Sequence, residues 1–129
     1  MSILMAIDGR PSSEKVIRYA IDLARWRQEE LVIMHVLKPR RSAINDKVIK
    51  EGLLMLDRIK LRASSFGVHA TTLLETGSPY EKVIKAADDR KADVIVIGPG
   101  AEEMAGEPVI GSLAEHVVRH ARCTVIIVR

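Results

Sequence analysis

Val94-Ile95-Val96-Ile97, Gly98-Pro99-Gly100, Gly111-Ser112 and Val125-Ile126-Ile127-Val128 follow one another toward the end of the chain. The first run, made only of β-branched side chains, reads as a strand covered on both faces. It stops at a glycine-containing turn, a helix opens at Gly111-Ser112, and a second apolar run closes the stretch. A strand that ends in glycine and leads to a helix N-terminus makes a pocket for anions. Glycine tolerates positive φ and close backbone approach. The first N–H groups of the helix lack internal partners, and the helix dipole adds partial positive charge there.

At the other end of the chain, Ile3-Leu4-Met5-Ala6-Ile7 reads as a buried strand that meets a carboxylate, Asp8. Between these two strands the pattern alternates. Pro11-Ser12-Ser13 opens a helix whose stripe is Val16, Ala20, Leu23, Ala24 and Arg27. Leu31–Leu37 is a second strand. A helix is expected from about Asn45, a good cap residue, to about Ser65, with an apolar face of Val48, Leu53 or Leu54, Leu56, Ile59 and Leu61. Gly67 suits its C-terminal stop. Val68–Leu74 is the third strand and alternates weakly, as an edge strand does. Ser78-Pro79-Tyr80-Glu81 predicts a helix start with a capping box, and Val83, Ile84, Ala86 and Ala87 supply its apolar face. A helix over 111–121 precedes the last strand.

Strands joined by helical crossovers pair in parallel, giving a single α/β domain over residues 1–129. In such sheets ligands bind beyond the carboxyl ends of the strands, where the winding reverses. If the first and fourth strands are neighbours there, Asp8 and Gly98 face one crevice, with His35-Val36 at its other wall.

Composition narrows the function. The 129 residues are 47% hydrophobic and 29% charged, which suits a globular chain with a real core. Aromatics make up only 3%, which argues against single-stranded nucleic acid as a ligand. A net charge of +3 does not demand a polyanionic partner, and the basic run Lys38-Pro39-Arg40-Arg41 reads as a solvated loop. The one cysteine, Cys123, fits a reducing compartment and the start of a buried strand. Ser2–Ile7 lacks the layout of a secretory leader and no apolar stretch approaches a membrane span, so the expected place is the cytoplasm, away from membranes.

With Met5-Ala6-Ile7-Asp8-Gly9, Pro11, Ser13-Glu14-Lys15, His35-Val36, Thr76-Gly77-Ser78-Pro79, Gly111-Ser112, Val117-Val118-Arg119-His120-Ala121 and Cys123–Val128 in this order, the chain resembles the universal stress protein family over nearly its whole length. The resemblance implies an open, doubly wound α/β fold, adenine nucleotide alpha hydrolase-like. It has a five-stranded parallel sheet of order 3-2-1-4-5, four helices and usually a homodimer through the last strand. It also implies a site for ATP or another adenine nucleotide, with Mg if the nucleotide is bound. The lining residues would be Ile7, Asp8, Gly9, Arg10, Val36, Gly98, Gly100, Ala101, Gly111, Ser112 and Leu113. Asp8 would meet the ribose or adenine side and the Val36 backbone the adenine edge. The amides of Gly98, Gly100, Gly111 and Ser112, with the Ser112 hydroxyl, would take the phosphates.

Three positions depart from the pattern of the family's ATP binders. Ala101 stands at the second glycine, Ala114 where a second hydroxyl is common, and Arg10 where a serine precedes the first-loop proline. Ala101 adds a methyl group and Ala114 removes a donor, whereas Arg10 offers a forked donor to phosphate. Glu102, Glu103 and Glu107 would repel a triphosphate if turned inward. The readings that follow are a nucleotide-binding module with little or no turnover, an interaction protein with a degenerate site, and a slow phosphohydrolase. No catalytic residue and no metal site stands out. His116 and His120 lie i, i+4 on one helix face but lack further ligands for zinc. His35 has no nucleophile around it and reads as structural.

Overall fold

The computed structural model describes residues 2–39, 44–100 and 110–129. The chain alternates β1 (Ser2–Ile7), α1 (Ser13–Arg27), β2 (Glu30–Leu37), α2 (Asp46–Ser65), β3 (Ala70–Thr76), α3 (Pro79–Asp89), β4 (Ala92–Ile97), α4 (Ser112–His120) and β5 (Thr124–Ile127). All pairings are parallel, in the order β3-β2-β1-β4-β5. This is the sheet the resemblance implied.

The continuous apolar strands follow from two covered faces. Ile3, Met5, Ile7, Leu31, Ile33, Val94 and Val96 pack under α1 and α2. Their alternates, Leu4, Val32, Met34, Ile95 and Ile97, pack under α3 and α4. Burying each such side chain contributes roughly 2 kcal/mol. β1 lies at the centre, and Ile3, Leu4 and Met5 are fully buried.

Several boundaries differ from the sequence expectation. The third strand begins at Ala70, not Val68, because Val68 belongs to the stop of α2. Its N–H donates to the Ala63 carbonyl (3.0 Å) while the Gly67 N–H donates to Ser64 (2.9 Å), with Gly67 at φ +77°. That pair of bonds is a Schellman motif. The apolar face of α2 is also turned from the expected one. Gly52, Leu56, Ile59 and Ala63 are buried, whereas Leu53 and Leu54 are exposed and Leu61 is 71% exposed. Asn45 does cap the helix, accepting from the Val48 N–H at 3.0 Å. Pro79 opens α3, but the Ser78 hydroxyl makes no capping bond, so the expected capping box is absent. Ile17 and Ile21 join Val16, Ala20 and Ala24 on the buried face of α1, with Leu23 only half-buried. Cys123 is half-buried just before β5, and burial, then Asp93 and Asp88, push its thiol up, as suits an inert cysteine.

At the opposite end of the sheet from Asp8, Arg27 ties the end of α1 to β4. Its Nη2 donates to Asp93 Oδ2 (2.6 Å) and lies 3.0 Å from Glu29 Oε1. Glu29 Oε2 and Asp93 Oδ1 are buried and find no donor among the described residues. One guanidinium thus holds two mostly buried carboxylates, and losing it leaves both unpaired. Arg27→Met is expected to lower unfolding stability by about 2 kcal/mol in urea titrations. Asp93→Asn, which leaves the cation one partner, is expected to do less harm.

Candidate functional site

The chain leaves β1 toward α1 on one face of the sheet and leaves β4 toward α4 on the other. The two exits diverge, so a crevice opens at the carboxyl ends of these adjacent strands. The register pairs Met5 with Val96, which brings Asp8 and the turn beginning at Gly98 to the same end.

On the β1 side, Asp8 is held by a tight turn. Its Oδ1 accepts from the Arg10 N–H (3.0 Å) and the Ser13 hydroxyl (2.8 Å), and its Oδ2 accepts from Arg10 Nε (2.7 Å). Ser13 is the first residue of α1, so the carboxylate also lies before a helix N-terminus. Partial burial pushes the Asp8 carboxyl up. The Arg10 amide, the Ser13 hydroxyl and the Arg10 guanidinium outweigh it and hold the group below the ordinary aspartate range. Ser13 was no expected site residue, and its spacing of five from Asp8 carries no signal until the turn closes. Arg10, expected to face phosphate, has its Nε directed to Asp8 instead.

The neighbouring strand supplies the far wall. Pairing of β2 with β1 ends at His35 and Ile7, so Val36 runs past the end of β1. His35 Nδ1 donates to the Ile7 carbonyl at 2.8 Å, the structural role expected of it. Behind the turn, Met55 reaches from α2 to Gly9.

On the β4 side, the Gly111 N–H donates to the Pro99 carbonyl at 2.7 Å. A Cβ on Gly111 would stand 2.9 Å from that oxygen and 3.1 Å from the Gly100 carbonyl, so only glycine lets the two backbones touch. The turn after β4 is thereby pinned to the start of α4. The Gly111 amide, expected to serve phosphate, is engaged within the chain. The N–H groups of Ser112, Leu113 and Ala114 belong to the first turn of α4, which offers them no carbonyl. Ser112 is exposed, while Ala114 is buried against the sheet and presents nothing to the crevice. Ala101, Glu102, Glu103 and Glu107 lie outside the described residues, as do Arg40 and Arg41.

Two grooves flank the crevice without filling it. One of about 250 Å3 lies beside the β1 turn, between α1 and α2, and includes Arg10, Arg58 and Arg62. The other, of about 440 Å3, runs between α3 and α4 past Tyr80, Asp88, His116 and His120. Among the described residues, no group of three or more His, Cys, Asp or Glu could hold a metal ion. No helix among them is long and apolar enough to cross a membrane.

The Universal stress protein family model matches residues 1–129. Universal stress protein YxiE of Bacillus subtilis is 31% identical over 98% of this chain and 97% of its own length. A universal stress protein of Thermus aquaticus is 30% identical over 99% and 98%. Among solved structures, the universal stress protein of Archaeoglobus fulgidus in complex with dAMP superimposes with a TM-score of 0.81. It is 26% identical and covers 100% of this chain and 98% of that one.

Two outcomes are expected of the turns. The folded-state value of Asp8 lies below the ordinary 3.8, so its stabilisation is complete above that pH and is lost as pH falls through the lowered value. The stability gap between the parent protein and Asp8→Asn is therefore expected to be widest near neutral pH and to close in acid, as read by urea titrations across pH. Gly111→Ala must force the Pro99 carbonyl away, and thermal unfolding is expected to register a loss of about 2 kcal/mol.

Proposed function

The chain belongs to the universal stress protein family, and on that premise we propose that it binds an adenine nucleotide in the crevice between β1 and β4. The support for this reading is the shared crevice itself: a fixed carboxylate at the end of β1 and the N-terminus of α4 lie at the same end of the sheet. The dAMP bound by the Archaeoglobus relative adds to it. In this reading Asp8, an acceptor, takes hydroxyl or amino donors of the nucleoside, and the Val36 backbone meets the adenine edge. The amides of Ser112 and Leu113 and the Ser112 hydroxyl take phosphate, aided by the dipole of α4. Ile7, Gly9, Gly98 and Gly100 shape the walls.

The donor set suits Mg only as a companion of the phosphates. Among the described residues hard oxygen ligands are few there, Asp8 is already bonded to Arg10 and Ser13, and phosphate oxygens and water would complete the shell. The ion would neutralise phosphate charge. We assign binding in a stress response rather than turnover. A carboxylate kept ionised by its neighbours is a weak base, so Asp8 is poorly suited to activate water. The setting is the cytoplasm, and the assembly is a homodimer across the outer edge of β5, which among the described residues pairs only with β4 and whose apolar residues are half-buried.

A second reading, an interaction protein with a degenerate site, draws on the Arg10 Nε and Gly111 N–H bonds, which withdraw two donors from phosphate. Isothermal titration with AMP, ADP and ATP decides between them. Saturable binding weakened by Asp8→Ala and by Ser112→Ala is expected, and no binding at millimolar nucleotide would leave the second reading. Sedimentation velocity is expected to show a dimer that Ile127→Pro, lacking an edge N–H, converts to monomer; Val128 N–H donates to Ile97, so that of Ile127 points away from β4.

A further inference from the structure

Tyr80, the second residue of α3, reaches across to α4. Its hydroxyl is hydrogen-bonded to the Ser112 hydroxyl. Its ring meets the His116 ring edge-on, with centroids 5.0 Å apart and planes at 85°. Ser112 and His116 are four residues apart on one face of α4, so a single tyrosine spans the first two turns of that helix. His116 in turn leans on His120, with ring centroids 4.4 Å apart. Buried Pro79 anchors the backbone just before Tyr80. The phenol is thus held along its ring while its oxygen sits at the mouth of α4, whose first N–H groups have no carbonyl within the helix.

Counting hydrogens gives this contact a direction. Two hydroxyls carry two hydrogens, and one of these lies between the two oxygens. The other must point out of the pair, toward an acceptor. A phosphoryl group is acceptor-only, and a hydroxyl that already accepts a hydrogen bond is polarised into a better donor. An isolated serine side chain samples several rotamers; one clamped by a neighbour loses less freedom on binding.

We propose that Tyr80 is a positioning residue for the phosphate end of the nucleotide site. Its hydroxyl fixes the Ser112 hydroxyl so that the pair presents one O–H to a phosphoryl group at the N-terminus of α4. This rests on the nucleotide-binding reading and adds a selectivity to it: the clamp favours a nucleotide over its nucleoside. Tyr80 lies far from Ser112 in the chain, and only the packing of α3 on α4 joins them.

The test is isothermal titration of AMP, ATP and adenosine against the full chain, Tyr80→Phe, Ser112→Ala and the double variant. Tyr80→Phe keeps the ring on His116, so its unfolding temperature should match the parent's. It is expected to weaken AMP and ATP by roughly three- to tenfold, the range of the one neutral hydroxyl–hydroxyl bond it removes, and to leave adenosine unchanged. The double variant should bind AMP no more weakly than Ser112→Ala alone. Equal loss of adenosine and AMP in Tyr80→Phe would mean a purely structural role and overturn the proposal. So would unchanged AMP binding in Tyr80→Phe beside a clear loss in Ser112→Ala, in which case the nucleotide site stands without the clamp. Failure of the parent protein to bind any of the three ligands removes the site and the clamp together.

Discussion

The parallel pairing of β1 with β4 is the constraint on which everything else in this molecule depends. From β1 the chain winds outward through α1, β2 and α2 to β3 on one side. It then crosses back through α3 to start again at β4 on the other. Right-handed crossovers place α1 and α2 on one face of the sheet and α3 and α4 on the opposite face. The loops after β1 and β4 therefore part company at the middle of the sheet. A crevice there is a topological consequence, whatever side chains line it.

The residues around that crevice are held by local chemistry and by distant packing in about equal measure. Asp8 is fixed within a few residues of itself, by the Arg10 amide and guanidinium and by the Ser13 hydroxyl. The start of α4 is fixed by backbone contact between Gly111 and Pro99, which brings together two points separated by the segment 101–109. His35 and Met55 come from elements that the chain reaches later, and they brace the β1 turn from behind. Each brace uses a donor or a void that a bulkier or differently charged residue would disturb. Short polar and small residues therefore gather at this end, while the buried hydrophobic positions of the strands beneath are Val, Ile, Leu, Met and Ala.

Most of the fold was legible in the sequence because strands covered on both faces have a blunt signature. Runs such as Val94–Ile97 and Leu31–Leu37 admit few other readings, and the residues around Asp8 and Gly111-Ser112 lie where strand meets helix. The errors have physical causes. Val68 looks like a strand residue, but its N–H closes the end of α2. On α2, leucines occur all round the helix, and which of them are covered depends on the angle at which the helix crosses the sheet; Leu53, Leu54 and Leu61 ended outside. Ser78 has the spacing of a capping box without its bond. At the site, the partners of Arg10 Nε and of the Gly111 N–H were not readable, since a donor's sequence position does not say which acceptor comes within reach.

By itself, the sequence determined the alternation of strands and helices, the two covered faces of the sheet, the turn glycines and the acid after the first strand. These follow from periodicity and from backbone limits that act within a few residues. Tertiary structure decided which strands are neighbours, which face of α2 is buried, that Gly111 closes on Pro99, and that Tyr80 meets Ser112. Those contacts join groups far apart in the chain. Their geometry comes from how whole helices and strands pack together, which no local window of residues contains.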